Sequence, residues 1–184
     1  ASLSNLEELD LSQNQLTSAS FSSFACPKLR HLCLAFNQFD DFPEAVSQCP
    51  TLTHLDLSNN SIPAVTDAVS RLTTLRTLIL DNNKISTVSD SISQLAQLQT
   101  LSLRYNQLNR VVPNVHLLYS CQKLDLSHNI ISELSFELGK MRSLHEVDYS
   151  HNPISVPPKA VTDKGVEMTL QWLRVNESKL KRKH

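Results

Sequence analysis

His31, Cys33, His54 and Asp56 carry side chains of the metal-ligating types, and they stand in two pairs of one spacing: His31 to His54 and Cys33 to Asp56 are each twenty-three residues apart. Asp125 and Asp148, separated by the same interval, are a carboxylate pair of the kind that acid–base catalysis divides into a protonated acid and an ionised base. A dedicated zinc site draws its ligands from short CxxC- or HxxxH-type pairs, and none accompanies these residues, so no metal and no other cofactor is expected. Ser58, Ser127 and Ser150 belong to LDLS or closely related phrases, and no histidine–acid arrangement singles one out as a nucleophile. On an open wall Asp125 and Asp148 would stay solvated, with Arg104 and Lys123 at hand to relieve their repulsion. No catalytic residue is therefore expected, and the chain reads as non-enzymatic.

Whether these groups meet depends on the elements that carry them. An asparagine recurs every twenty-three residues, at Asn14, Asn37, Asn60, Asn83, Asn106, Asn129 and Asn152, and a fixed period of this length predicts a solenoid. Apolar residues keep fixed offsets from it in the order LxxLxLxxNxL: Leu6, Leu9, Leu11, Asn14 and Leu16 in the first copy, Leu75, Leu78, Leu80, Asn83 and Ile85 in the fourth. The last copy reads Leu144, Val147, Tyr149, Asn152 and Ile154. Period-2 alternation gives one short strand per copy, and its leucines are buried only when the next copy stacks on it. The asparagine is structural in this reading, because a buried amide can both donate and accept where the strand ends and the chain turns.

This pattern resembles the leucine-rich repeat family, over residues 3–158. The resemblance implies an α/β solenoid: a curved leucine-rich repeat horseshoe with a parallel β-sheet on the concave face, short helical or 3₁₀ turns on the convex face and a C-terminal capping helix. Between asparagines a second apolar set repeats, as in Phe42, Pro43, Val46 and Cys49, then Val88, Ile92 and Leu95, then Leu134, Leu138 and Met141; spacings of three and four predict the convex turns. In the first copy Phe21 and Phe24 replace this set, predicting a turn with a longer helical part. Seven repeats are assigned to residues 1–158. Because Leu3 fills the slot that ends a preceding copy, further repeats or a cap are expected before Ala1. Val161, Val166, Leu170 and Leu173 then predict an amphipathic capping helix over 159–176, with Trp172 at its edge, followed by a basic tail over 177–184.

Composition narrows the function classes. The formal net charge is −1, from 17 basic and 18 acidic residues, so no overall field draws the chain to nucleic acid. No apolar stretch approaches a membrane-spanning length and no signal peptide opens the chain as given. Cys26 and Cys49 occupy equivalent convex slots, Cys121 replaces a core leucine and Cys33 points outward. None of the four forms a terminal cluster, so a reducing, cytoplasmic setting is expected.

Alternation also maps the exposed wall. Residues two, four and six before each asparagine must face outward. Adjacent strands lie about 4.8 Å apart, so neighbours in these columns nearly touch. Two patches result: His31, Cys33, Phe36, His54 and Asp56; and Arg104, Tyr105, Lys123, Asp125, His128, Glu146, Asp148 and His151. Exposed Phe, Tyr and Arg are interface residue types. A non-catalytic, monomeric protein-binding module is expected, presenting its concave face to another protein. The repeats, with Phe42-Pro43 and the ending from Asn152-Pro153 through Pro157-Pro158 and Gly165 to Trp172-Leu173, are similar to intracellular scaffold proteins of the Ras-associated group; Thr66, Ser89 and Ser135 stand where others of that group have proline. That resemblance implies a signalling scaffold whose partner is a small GTPase, kinase or phosphatase. Two alternatives stand beside it: the recognition arm of a larger kinase, phosphatase, cyclase or ubiquitin ligase, and an ectodomain fragment of a receptor or adhesion protein.

Overall fold

The twenty-three-residue period of the sequence becomes the register of a sheet. The computed structural model describes residues 4–21 and 26–180; Leu3 and Phe24 lie outside the described residues, as does most of the basic run 179–183. The strands are β1 (Glu8–Asp10), β2 (His31–Cys33), β3 (His54–Asp56), β4 (Ala64–Val65), β5 (Thr77–Ile79), β6 (Thr87–Val88), β7 (Thr100–Ser102), β8 (Lys123–Asp125) and β9 (Glu146–Asp148). Among the described residues β1, β2, β3, β5, β7, β8 and β9 form one parallel sheet in that order, each pairing with the residues one period on, as in His31 with His54 and His54 with Thr77. Leu55, Leu78, Leu101 and Leu124 point inward from the strand centres and are buried. The leucines two residues on, Leu57, Leu80, Leu103 and Leu126, complete a continuous core. Leu6, Leu9 and Leu11 of the first copy are half-buried against it.

The asparagine column is a ladder of amides. Asn83 Nδ2 donates to the carbonyls of Leu57, Leu80 and Asp81 (2.9, 3.1 and 3.2 Å), while its Oδ1 accepts from Ile62 N–H (3.0 Å). Asn106 repeats this one turn later, against Leu80, Leu103 and Arg104 carbonyls and Ile85 N–H. Each of these two amides ties its own turn to the one before through backbone groups at the strand ends.

The residue before every asparagine adopts the left-handed backbone conformation. Gln13, Phe36, Asn59, Asn82, Tyr105, His128 and His151 have φ of 53–56°. The chain thereby turns sharply out of the strand, presenting the asparagine to the core and its predecessor to solvent.

The convex side carries 3₁₀ turns at Glu44–Gln48, Asp67–Arg71, Asp90–Gln94, Val115–Leu117 and Phe136–Lys140. Val46, Val69, Ile92, Val115 and Leu138 anchor them in the core. β4 and β6 form a separate two-stranded sheet between the asparagines and these turns.

At the C-terminal end two helices replace the single helix expected over 159–176: α1 (Lys159–Thr162) and α2 (Val166–Leu180). Gly165, at φ +95°, breaks them, a conformation open to glycine at little cost. α2 also runs past 176 into the segment expected to be a tail. Leu170 and Leu173 are buried, Trp172 is half-buried against the core, and Tyr149 Oη meets Thr169 Oγ1 at 2.9 Å. α2 is seated on the last 3₁₀ turn, where Arg174 Nε donates to the Gly139 carbonyl and Lys140 pairs with Glu177 at 2.7 Å. A Cβ on Gly139 would meet Arg174 backbone and side chain at 3.0 Å, so the glycine permits the close approach.

Candidate partner-binding face

Parallel register stacks like columns from successive turns, and on the N-terminal half this brings His31, Cys33, His54 and Asp56 together. The His31 and His54 rings lie 4.2 Å apart, tilted by 31°. With Glu8, Asp10, Thr77 and Ile79 they line an open depression of about 470 Å³ on the concave wall. Burial, followed by the charges of His31 and Arg76, holds His54 below the ordinary histidine value, and burial pushes the Cys33 thiol up. Phe36 does not line this depression. It is 54 % exposed and stands in the left-handed row beyond the strand ends.

On the C-terminal half that row becomes a stack. Tyr105 and His128 are parallel within 22° at 4.0 Å, His128 and His151 within 7° at 4.0 Å, and the Arg104 guanidinium lies 4.8 Å from the Tyr105 ring centre. Burial, then the positive charges of His151 and Arg104, lowers the His128 pKa. Lys123 and Glu146 form an ion pair across β8 and β9 at 2.7 Å, which raises the Lys123 pKa.

The aspartates have local work that spacing alone did not reveal. Asp10, Asp56, Asp125 and Asp148 each accept from the backbone N–H two residues on, at Ser12, Ser58, Ser127 and Ser150, over 2.8–2.9 Å. Ser127 Oγ adds a second bond to Asp125 at 2.7 Å. These carboxylates close the turn out of the strand, an Asx-type arrangement. In the fifth copy Ser102 holds the aspartate position, and Asp81 of the preceding turn substitutes: it accepts from Arg104 N–H (3.0 Å) and Ser102 Oγ (2.6 Å). Burial raises the Asp81 pKa, with Asp125 and Asp56 adding to the rise. The signal was in the sequence, as serine replacing aspartate at 102 and aspartate replacing serine at 81.

Asp125 and Asp148 thus face one another as turn-closing acceptors. Among the described residues no group of three or more His, Cys, Asp or Glu side chains is gathered to hold a metal ion. Among the same residues no helix is long and apolar enough to cross a membrane. All four cysteines are unpaired, and Cys26, Cys49 and Cys121 are buried, with burial raising the Cys121 thiol to about 11.

The leucine rich repeat family model matches residues 4–62 and again 50–108. Among solved structures, an internalin from Listeria monocytogenes superposes with a TM-score of 0.68 at 24 % identity, over 83 % of this chain and 44 % of that one. Toll, from the Drosophila Toll–Spatzle complex, gives 0.71 at 28 %, over 82 % of this chain and 22 % of the other. A leucine-rich repeat protein of Leptospira interrogans gives 0.57 at 22 %, over 84 % and 51 %. The chain spans about half of these proteins or less. No curated protein matches it.

Proposed function

We propose that this chain, which belongs to the leucine-rich repeat family, is a non-catalytic recognition module that binds a folded protein on its concave face. Protein–protein interaction is the typical role of such domains. The finer reading is a cytoplasmic scaffold in intracellular signalling, with a small GTPase, kinase or phosphatase as partner. The observation that carries the binding surface is the row of Arg104, Tyr105, His128 and His151, stacked in one register, with His128 half-buried between its exposed neighbours. Rings already held face to face lose little conformational freedom on docking, and tyrosine and arginine are the residue types that dominate interface energies. A standard interface of about 1,200–2,000 Å² would extend from this row to Lys123, Asp125 and Asp148, and on to the depression around His31, Cys33, His54 and Asp56.

Four unpaired cysteines support the reducing compartment. A thiol titration under denaturing conditions tests it: four reactive thiols favour the cytoplasm, and oxidised Cys26, Cys49 or Cys121 would favour an ectodomain fragment instead. The binding face is tested by affinity capture from native cell extract with the unaltered chain and a Phe36→Ala, Arg104→Glu, Tyr105→Ala variant. A partner retained by the first and lost by the second supports the concave reading. Identical captures would move recognition to the convex turns or α2.

A further inference from the structure

The last convex turn and the helix seated on it gather cations that the fold compensates only in part. Lys140, Arg142 and Arg174, with Gly139, line an open depression of about 680 Å³, and among the described residues no carboxylate lines it. The Lys140 ammonium is already engaged: it pairs with Glu177 at 2.7 Å and lies 4.9 Å from the Phe136 ring centre. Arg142 is exposed and has no hydrogen-bond or ion-pair partner among the described residues.

Arg174 differs from an ordinary surface arginine in being held. Its Nε donates to the Gly139 carbonyl, and its stem passes so close that a Cβ on Gly139 would meet Arg174 Cγ at 3.0 Å. One edge of the guanidinium is thereby fixed, and its Nη groups, which make no hydrogen bond among the described residues, are positioned before any ligand arrives. A second depression, of about 350 Å³, shares Lys140 and Arg142 and continues onto Leu118, Tyr119 and Met141. Leu118 and Met141 are its buried floor, and Tyr119 stands 70 % exposed. A cationic subsite and an apolar one thus share a wall.

We propose that the two depressions together bind a phosphorylated segment of a partner protein, with the phosphate against Arg142 and Arg174 and the neighbouring apolar side chain on Leu118, Tyr119 and Met141. A phosphate monoester carries a charge of about −1.5 to −2 at neutral pH and three strong acceptor oxygens. Two uncompensated guanidinium groups match that charge and can share those oxygens, where a carboxylate would neutralise only one of them. The surroundings favour a single phosphate over a polyanion. Glu177 and Glu137 stand beside the site, on Lys140 and on His116 (3.5 Å), and Glu167 lines the next depression along α2. These carboxylates would repel the extended negative surface of a membrane or a nucleic acid. The site belongs to the convex side, so it and the concave row can be occupied at once.

The test is a resonance titration of the ¹⁵N-labelled chain with a blocked pentapeptide, alanine–alanine–phosphoserine–leucine–alanine, beside its unphosphorylated counterpart and vesicles carrying a phosphoinositide. Saturable shifts at the Gly139, Lys140 and Arg142 amides and at Arg174 Nε are expected with the phosphopeptide alone. Arg142→Glu should weaken binding about tenfold, and Arg142→Lys, which keeps the charge and loses the planar fork, should weaken it less. Glu177→Gln, which releases Lys140, should tighten it about twofold. The Phe36→Ala, Arg104→Glu, Tyr105→Ala variant should bind the phosphopeptide unchanged. Absence of saturable shifts at these groups, equal responses to both peptides, undiminished binding by Arg142→Glu, or vesicles that produce the same shifts would overturn the inference.

Discussion

Asn82 and Asn83 are the same residue type one position apart, and the fold uses them in opposite ways. Asn83 is buried and its amide makes four hydrogen bonds to backbone, tying one turn to the next. Asn82 is exposed, left-handed at φ 53°, and its side chain reaches the Asn59 amide one turn back at 2.6 Å. Along the first column the residue type stays constant because the side chain closes the backbone of the stack. Along the second, only the backbone conformation is constant, and the side chains vary through Gln, Phe, Asn, Tyr and His. A solenoid can therefore diversify its surface at a position whose geometry is fixed, and here it has stacked Tyr105, His128 and His151 there.

The largest effect should come from the shared core behind both columns. Leu78 is fully buried at the centre of the sheet, and Leu78→Ala is expected to cost about 2–5 kcal/mol in a denaturant titration. Next comes the contrast itself. Asn83→Ala should cost about 1–3 kcal/mol by stranding buried backbone groups. Asn82→Ala removes a single exposed bond, and near-equal losses for the two variants would break the division drawn between the columns. Phe36→Gly sharpens it from the other side: relief of the left-handed conformation, worth about 1–2 kcal/mol, is partly offset by about 0.5–1 kcal/mol of glycine chain entropy, leaving a small net stabilisation. Tyr105→Ala should move stability by less than about 0.5 kcal/mol while removing part of the proposed docking row. If it unfolds the chain, the inward and outward assignment of the columns is wrong.

The smallest effect is a pH dependence. The folded pKa of His54 lies below the ordinary histidine value of 6.5, so the unfolded chain takes up the proton first as the pH falls. Its contribution to stability is complete above 6.5 and is lost as the pH drops through the depressed folded value. An imidazole titration followed by NMR should place the midpoints of His54 and His128 below 6.5; a midpoint above it would mean that nearby carboxylates outweigh burial.

Much of this was legible residue by residue. The asparagine interval set the strand register, and alternation around Leu55, Leu78 and Leu101 set which side chains enter the core, because period-2 geometry leaves no freedom once one face is buried. The convex turns followed from the second apolar set, whose spacings of three and four suit a 3₁₀ turn. The candidate columns were legible too, since adjacency in a parallel stack is a matter of counting.

Other features needed the third dimension. The left-handed row is a demand of the tight exit from the strand, and nothing in the types Gln13, Phe36 or His151 announces it. Phe36 falls outside the depression that His31 and Cys33 line and stands in the left-handed row that follows the strands. Gly165 was in view, but the single helix expected over 159–176 ignored the conformation it allows, and the break appeared there. The seat of Arg174 on Gly139 and the exchange of Asp81 for an aspartate at 102 join residues of different turns, so only stacking decides whether their polar groups meet.

The sequence by itself determined the period, the register and the inward column, because a repeating chain that must bury one face has a single way to stack. Tertiary structure alone decided which exposed side chains touch and how α2 sits on the last turn. Those outcomes depend on φ at single residues such as Gly165 and on contacts between distant turns, which no local pattern encodes.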